Sequence, residues 1–255
     1  RIWHHHFGQG LVKKPSDFGA GGGRPSHPEL LDWLAGWFQQ NNYSLKSLHR
    51  LIVTSMTYRQ SSASRPDALG RDRDNRLLWR FAPKRLEGEA VRDSLLQAAG
   101  MLNTQQSGPS YEDVKEIHFN AGRYYHPIEV KGPKFDRRTI YRFSPRGERD
   151  AILDTFDCPD PSATAPTRAV TTTPLQALSL SNNVFVWRMA DGLANRVRKE
   201  AGEAPFGQAR RAWQLSLGRD PDETERSQAT AMIAKHGLPS LCRALFNSSE
   251  FVVIE

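Results

Sequence analysis

Cysteine is scarce in this 255-residue chain, whose two cysteines, Cys158 and Cys242, lie far apart. One disulfide and two buried thiols both fit that number, so cysteine usage does not fix the redox compartment. No CxxCH motif is present, which excludes attachment of a c-type haem to this segment. Long hydrophobic runs are missing as well. No run approaches the roughly 18–20 apolar residues that cross a bilayer, so we expect no membrane span.

A basic leader followed by an apolar stretch is also absent, so no signal peptide is expected within this segment. Arg1 already stands inside a predicted helix, and we therefore expect the chain to be a fragment of a longer protein. Its composition, 38% hydrophobic and 25% charged, is that of a globular protein. We expect a single mainly helical domain over residues 1–255.

The formal net charge is +7, from 35 Lys and Arg against 28 Asp and Glu. Basic residues are mixed along the chain and do not form one block. This balance favours an acidic partner: nucleic acid, an anionic polysaccharide or an acidic protein face. Because the basic residues are not interleaved with aromatics in a nucleic-acid signature, nucleic acid is the least favoured of the three.

Apolar residues recur at helical spacing through most of the chain. The first helix should stop at Gly8, and Ser26 with Glu29 forms a predicted capping box for the next. Ser44 is the predicted cap of a third helix. Helical spacing returns at 77–81 and over 86–102, whereas 65–75 is polar and predicted to be loop.

The middle of the chain has a different pattern. Residues 123–130 and 137–143 are rich in β-branched and aromatic residues, and we expect them to pair as a hairpin within a β insertion at 120–145. Thr173 then caps a helix that has Pro174 at its first position. That helix is expected to break at Asn182 and Asn183 and to resume to about residue 198. Three further helices are predicted at 206–217, 221–235 and 239–246.

Nine stretches, in this order, resemble the planctomycete PSD-one domain, a domain of unknown function. They are RIWHHHFGQGLV, PSDFG, HPELLDWLA, SLKSLHRLIVTSMTYRQSS, RLEGEAVRDSLL, RRTIYRF, FDCPDPS, TTTPLQALSLSNN and LFNSSEFVVIE. The resemblance covers essentially the whole chain. It implies that the chain is the C-terminal fragment of an exported, periplasmic or extracellular protein whose upstream domains include a cytochrome c-like domain. It also implies polysaccharide processing or redox work, and it supplies no reaction.

Three consecutive histidines, His4 to His6, follow Trp3. Neighbours on a helix point about 100° apart, so the three rings cannot converge on one ion. His6 shares a face with Ile2, Trp3 and Phe7 and is expected to face the core, while His4 is expected to be exposed. His5 points elsewhere, either as a hydrogen-bonded structural residue or as a catalytic base or ligand.

Acidic residues supply the other catalytic and metal candidates. Glu87 shares a stripe with Val91, so it must pair, take up a proton or line a cavity. It is the best general-acid candidate, and pairing with an arginine is the alternative. Asp154, Asp157 and Asp160 crowd a proline-rich loop that suits calcium, although the spacing does not match an EF-hand and turn formation is the alternative.

Two polar groups are candidates for ligand binding. In the first, Tyr58, Arg59 and Gln60 would hold a sugar or carboxylate, or would cap a helix and join neighbouring helices. The second group leads into a helix N-terminus and would bind a sulfate or uronate, or would form a capped helix with the arginine paired to an aspartate. Its members are Arg168, Thr171, Thr172 and Thr173.

Further along the same helix, Gln176, Asn182 and Asn183 would contact a sugar or bend the helix. Residues 85–93 also contain charges at i+3 and i+4 distances, including Arg92 and Asp93, which we expect to form solvated ion pairs.

Three functions therefore stand open. The first is a polysaccharide-active enzyme with His5, Glu87 and Asp157 at one cleft. The second is a non-catalytic module that docks a redox partner or binds a glycan. The third is a nucleic-acid binder, suggested by charge alone. No resident cofactor is expected apart from calcium.

Overall fold

Eleven α-helices and two small two-stranded sheets supply the regular structure in a computed structural model that describes residues 1–254. The expected class, mainly α with a small β insertion, is confirmed. The chain divides into two compact units, residues 1–84 with Ile254 and residues 85–253. Each unit has its own hydrophobic cluster. A single domain over residues 1–255 stays a prediction. The division falls inside β1 (Lys84–Arg85) and β4 (Val253–Ile254).

The first unit contains four helices: α1 (Ile2–Phe7), α2 (Pro28–Gln40), α3 (Leu45–Thr54) and α4 (Pro66–Arg71). The predicted stop of α1 is confirmed, because Gly8 takes a left-handed conformation with φ 78°. Phe7, Leu48 and Ile52 form the buried centre of this unit. Ser44 caps α3 as predicted, accepting a hydrogen bond from Ser47 N at 3.2 Å.

Three local predictions in the first unit are wrong. Ser26 does not cap α2; His27 holds the cap position, and Ser26 Oγ donates to the carbonyl of Leu11 instead. The predicted loop at 65–75 contains α4, which begins with Pro66 at its first position. Residues 77–81 do not form a helix, because Leu78 adopts a positive φ of 55°.

The second unit is built on α5 (Gly88–Ala98), α6 (Ala151–Thr155) and five further helices. These are α7 (Pro174–Asn182), α8 (Val184–Ala201), α9 (Pro205–Leu217), α10 (Glu223–His236) and α11 (Leu238–Phe246). The apolar stripe of α8 is fully buried at Val186, Met189 and Leu193, which recur every three or four residues as a core-facing helix requires.

The helix boundaries around α7 follow the prediction. Thr173 and Gln176 form a reciprocal capping box, with Pro174 in the first turn. The predicted break is confirmed: α7 ends at Asn182, and the Asn183 side chain caps α8 by accepting from Phe185 N at 2.8 Å.

The β insertion is a hairpin of β2 (Val114–Phe119) and β3 (Gly122–Pro127), which are antiparallel with Ile117 opposite Tyr124. The sequence predicts that residues 137–143 form the second strand of the hairpin, and this prediction is wrong. That segment contains a 3-10 turn at Thr139–Tyr141 instead. The buried guanidinium of Arg142 is held there between Asp113 and Glu148, so charge pairing overrides the strand pattern.

The expectation of solvated ion pairs at 85–93 is wrong for two residues. The side chain of Arg92 is buried and donates to the carbonyls of Phe135 and Arg137. Asp93 accepts from both the backbone N and the hydroxyl of Thr139. These bonds hold the irregular segment 135–139 against α5.

No helix in the described part of the chain combines the length and apolarity that a bilayer crossing requires.

Candidate functional site

The three catalytic candidates divide between the units. His5 lies on α1 in the first unit, exposed, with its ring edge-on to His4 at 5.8 Å and its carbonyl accepting from Lys84 Nζ. Glu87 and Asp157 belong to the second unit. His4 is half-buried, although the sequence predicts exposure. The catalytic role of His5 stays a prediction.

Glu87 lies at the cap position of α5, beside an arginine–glutamate pair. Arg168 Nη1 lies 3.4 Å from Glu87 Oε2, and the guanidinium makes two shorter bonds to Glu89, at 2.7 and 2.9 Å. The Cys158 thiol faces the same carboxylate at 3.6 Å. Glu87 therefore lies within ion-pair distance of an arginine, as its alternative interpretation predicts. Arg168 pairs mainly with Glu89, a glutamate, and not with the expected aspartate.

The pKa values at this cluster lie away from neutrality. Burial raises the pKa of Glu89, but the hydrogen bonds and charge of Arg168 outweigh it, and the pKa lies below its usual value. Burial and the neighbouring Glu89 carboxylate raise the pKa of Cys158 to about 11. Glu89 is therefore ionised and Cys158 is a thiol at pH 7, which suits a structural ion pair better than proton transfer.

The aspartates proposed for calcium are held by other groups of the second unit. Arg149 donates to Asp154 at 2.9 Å and to Asp160 at 3.0 Å. Asp157 accepts from the backbone N and hydroxyl of Thr171. Among residues 1–254, no group of three or more His, Cys, Asp or Glu is placed to hold a metal ion. Calcium binding stays a prediction.

The threonines and amides of the predicted anion pocket serve the helix ends. Arg85 Nη1 donates to Thr172 Oγ1 at 2.8 Å, and Thr173 belongs to the capping box of α7. Gln176 is buried, with Nε2 donating to the carbonyl of Thr155 and to Thr171 Oγ1. The Asn183 side chain is engaged as the cap of α8.

In the first unit, His6 faces the core as expected, half-buried, with Nε2 2.7 Å from His49 Nδ1. The Tyr58 ring packs among His6, Phe7 and Phe81, with centroids 5.2–5.7 Å apart. These contacts make Tyr58 part of the core. It is the neighbouring residue, Arg59, that remains available for a ligand.

Residues 59–80, here called the basic segment, contain six arginines and three aspartates. The arginines are Arg59, Arg65, Arg71, Arg73, Arg76 and Arg80, all exposed except the half-buried Arg80. Four of them (59, 71, 73 and 76) make no side-chain hydrogen bond or ion pair with another described residue. Their guanidinium groups therefore remain open to solvent.

Side-chain to backbone bonds hold the basic segment in shape. Gln60 Nε2 donates to the carbonyl of Leu78 at 2.6 Å, so this amide is structural. Asn75 exchanges hydrogen bonds with the backbone of Arg80 in both directions. The Asp72 carboxylate accepts hydrogen bonds from the backbone N of Arg76 and of Leu77. It forms no ion pair with an arginine side chain of the described chain.

Trp79, near the end of the basic segment, contacts two guanidinium groups. Arg65 and Arg80 lie over its ring at 5.5 and 4.9 Å from the centroid, and Arg65 also donates to the carbonyl of Trp79. Such cation–π contacts orient the arginines and contribute about 0.5–1 kcal/mol each, because the ring quadrupole attracts the cations.

The net charge of the chain arises from residues 1–84. Residues 1–84 contain 13 Lys and Arg against six Asp and Glu, whereas residues 85–255 contain 22 of each. Within the described residues, every ion pair between a Lys or Arg and a carboxylate lies between residues 87 and 250. The second unit neutralises its charges internally, and the first leaves its cations unpaired.

Residues 1–233 match the family described as PSD1: Protein of unknown function (DUF1553). The chain belongs to this family. The resemblance drawn from the sequence stretches is therefore confirmed. No curated protein and no solved structure gives a significant match to the chain.

Two features of this PSD1 chain are not predicted from its sequence. Glu89 is the main partner of Arg168, but helical spacing does not distinguish it from Glu87, two residues away. The concentration of charge in residues 1–84 is hidden when the whole chain is counted together. A running sum of charge along the sequence would have revealed it.

Proposed function

We propose that this chain is a non-catalytic binding module that holds an anionic polysaccharide, sulfated or uronate-rich, during polysaccharide processing outside the cytoplasm. The observation that carries the proposal is the unneutralised charge of residues 1–84, gathered most densely in the basic segment. Unpaired surface cations attract a polyanion and release its counterions on contact.

The chemistry of arginine favours sulfate or carboxylate groups. The planar guanidinium presents paired donors that match two oxygens of such a group. Arg59, Arg71, Arg73 and Arg76 are exposed and make no competing bond in the described chain. The fixed backbone of the basic segment limits the entropy lost on binding, because the side-chain bonds of Gln60 and Asn75 already hold it in place.

Nucleic acid is a weaker match to the same segment. A base-stacking platform for single strands needs an open aromatic face, whereas the guanidinium groups of Arg65 and Arg80 already lie over the Trp79 ring. The helix inside the segment, α4, has six residues and is about 9 Å long, which is short for a major-groove reading helix.

The wider setting in this proposal rests on the resemblance to the PSD-one domain. An exported location and an upstream cytochrome c-like domain belong to that expectation. In this setting the module would hold the glycan near a redox partner. The enzyme alternative assigns catalytic roles to His5, Glu87 and Asp157. It is the less favoured proposal because Arg168 lies 3.4 Å from Glu87 and Thr171 donates hydrogen bonds to Asp157.

Calorimetric titration of the intact protein with heparin, neutral dextran and a 40-nucleotide oligothymidylate tests the proposal. We expect heparin to bind, to weaken steeply between 50 and 200 mM NaCl, and to exceed the oligothymidylate at equal salt, because exposed charges are screened. Dextran should not bind. Tighter binding of the oligothymidylate would favour the nucleic-acid alternative.

A matched pair of double variants locates the surface. Arg73→Glu with Arg76→Glu should weaken heparin binding by at least about tenfold. Lys199→Glu with Lys235→Glu makes the same change in charge at exposed lysines of the second unit and should leave heparin affinity within about threefold. Equal losses in the two pairs would show that total charge, and no particular surface, governs binding.

A further inference from the structure

We propose that the first unit contains a binding site for a long-chain carboxylate, separate from the basic segment. The site is a cavity of about 560 Å³ lined by α1, α2, α3 and the segment from Gly10 to Pro25. That volume lies inside the range of roughly 300–1,000 Å³ typical of small-molecule sites.

The walls of this cavity are almost entirely apolar. Trp3, Leu34, Phe38, Leu48 and Ile52 supply the helical walls. Such walls offer few hydrogen-bond partners, so the part of a ligand that enters must be hydrocarbon, since unpaired polar atoms are costly to bury. The ligand's polar group must therefore remain at the opening.

Charge at the opening selects the sign of that polar group. Three charged residues line the cavity: Arg1, Lys14 and Asp17. Lys14 is exposed and makes no side-chain bond in the described chain, whereas Asp17 Oδ1 already accepts from Gly19 N at 3.0 Å. The open partner at this opening is a cation, and an anionic head group complements it.

The rim leaves a large apolar ring uncovered. Phe18 lines the cavity and is 95% exposed. Exposed apolar surface of this kind beside an apolar cavity marks an interaction site, because a ligand that covers it removes it from water. The loop that holds Phe18 is tightly built: a Cβ on Gly22 would lie 2.1 Å from the Asp17 carbonyl oxygen, so only glycine fits there.

A saturated acyl chain with a carboxylate satisfies each of these conditions. Its methylenes fill apolar volume, and its head group pairs with Lys14. Because each buried methylene contributes on the order of 0.8 kcal/mol, affinity should rise by up to about fourfold for each added carbon until the cavity is full.

The test is a calorimetric series on the intact protein with octanoate, decanoate, dodecanoate and myristate, each below its micellar concentration. We expect affinity to increase along the series and 1-anilinonaphthalene-8-sulfonate to be displaced by myristate. No binding by any of the four, or affinity that does not change with chain length, would overturn the proposal. Tighter binding of an apolar peptide than of myristate would overturn it in favour of a protein segment as occupant.

Adjacent lysines provide a matched control. Lys14→Glu should weaken decanoate binding about tenfold, whereas Lys13→Glu, also exposed but outside the lining, should leave it unchanged. Ala35→Trp fills the cavity from α2 and should abolish myristate binding, with near-ultraviolet circular dichroism to confirm a folded unit. Equal effects of the two lysine substitutions would contradict the proposal, because they would show that Lys14 does not bind the carboxylate head group. Because Lys13→Glu and Lys14→Glu alter net charge equally, their difference is independent of polyanion binding.

Discussion

Replacing Glu89 by glutamine isolates the electrostatic part of the Arg168 pair. Glutamine keeps the size of the side chain and removes its charge, so the two bonds at 2.7 and 2.9 Å lose their charge assistance on one side. The side chains of Arg168 and Glu89 are 32% and 29% exposed, which makes this pair intermediate between surface and buried ion pairs.

The expected cost follows from that intermediate position. Exposed pairs contribute roughly 0–1 kcal/mol, and breaking a buried pair costs about 3–5 kcal/mol. Glu87 remains 3.4 Å from the same guanidinium and partly compensates the lost charge. We therefore expect Glu89→Gln to lower the free energy of unfolding by about 1–2 kcal/mol at pH 7.

The cost should depend on pH in a defined direction. The folded-state pKa of Glu89 is lowered, so its contribution is fully present above the unfolded-state pKa of about 4.3 and is lost as pH falls through the folded value. Urea unfolding followed by circular dichroism at pH 7 and pH 3 measures both. Glu112→Gln, at an exposed position, is the control and should cost little at either pH. An equal cost of Glu89→Gln at both pH values would refute the electrostatic explanation.

Three further outcomes are expected. Gln176→Leu should lower the free energy of unfolding by about 2–3 kcal/mol in urea, because it leaves buried backbone and hydroxyl groups without partners; a loss below 0.5 kcal/mol would contradict its role. Asn183→Ala should cost about 1 kcal/mol by removing the cap of α8, whereas Asn183→Asp should retain stability. Cys158 and Cys242, whose pKa values burial raises to about 11 and 12, should react slowly with 5,5′-dithiobis(2-nitrobenzoate) at pH 8 and quickly in urea. Fast reaction of the folded protein would show that the thiols are accessible and acidic.

The sequence predicts the helices best where a cap and an apolar period coincide. Thr173 with Pro174 marks the start of α7, and Asn183 marks the break before α8, so both boundaries are correct. Ser26 fails as a cap because its hydroxyl bonds to Leu11, fifteen residues earlier. A contact over that distance leaves no local pattern, so local reasoning cannot anticipate it.

The β insertion shows the same limit. Residues 123–127 pair as a strand, but with the preceding segment, so the register depends on a turn at Asn120, whose φ is 50°. Residues 137–143 have strand-like composition, yet Thr139 bonds to Asp93 and Arg142 to Glu148. Buried ion pairs of this kind are set by tertiary neighbours, which composition does not reveal.

The sequence predicts which residue types occur at the candidate site, but it does not predict which of them bond to each other. The sequence predicts that Arg168 pairs with an acidic residue, and it does, but its partner is Glu89 and not an aspartate of the preceding loop. Those aspartates bond to Arg149 and Thr171 instead. Spacing along one helix identifies a face; it does not identify which residue of a distant loop meets that face.

The two units use charge in opposite ways, and this contrast carries the functional argument further than any single residue. In residues 85–253 cations meet carboxylates at short range, and Arg142 is buried between two of them, so the charge there supports packing. In the basic segment the Asp72 carboxylate accepts hydrogen bonds from backbone N–H groups and pairs with no arginine side chain. Arg73 and Arg76, which flank Asp74 in the sequence, form no ion pair in the described chain. Exposed cations repel one another and contribute nothing to stability when unpaired. A surface that keeps them in that state is better explained by a polyanion partner than by folding.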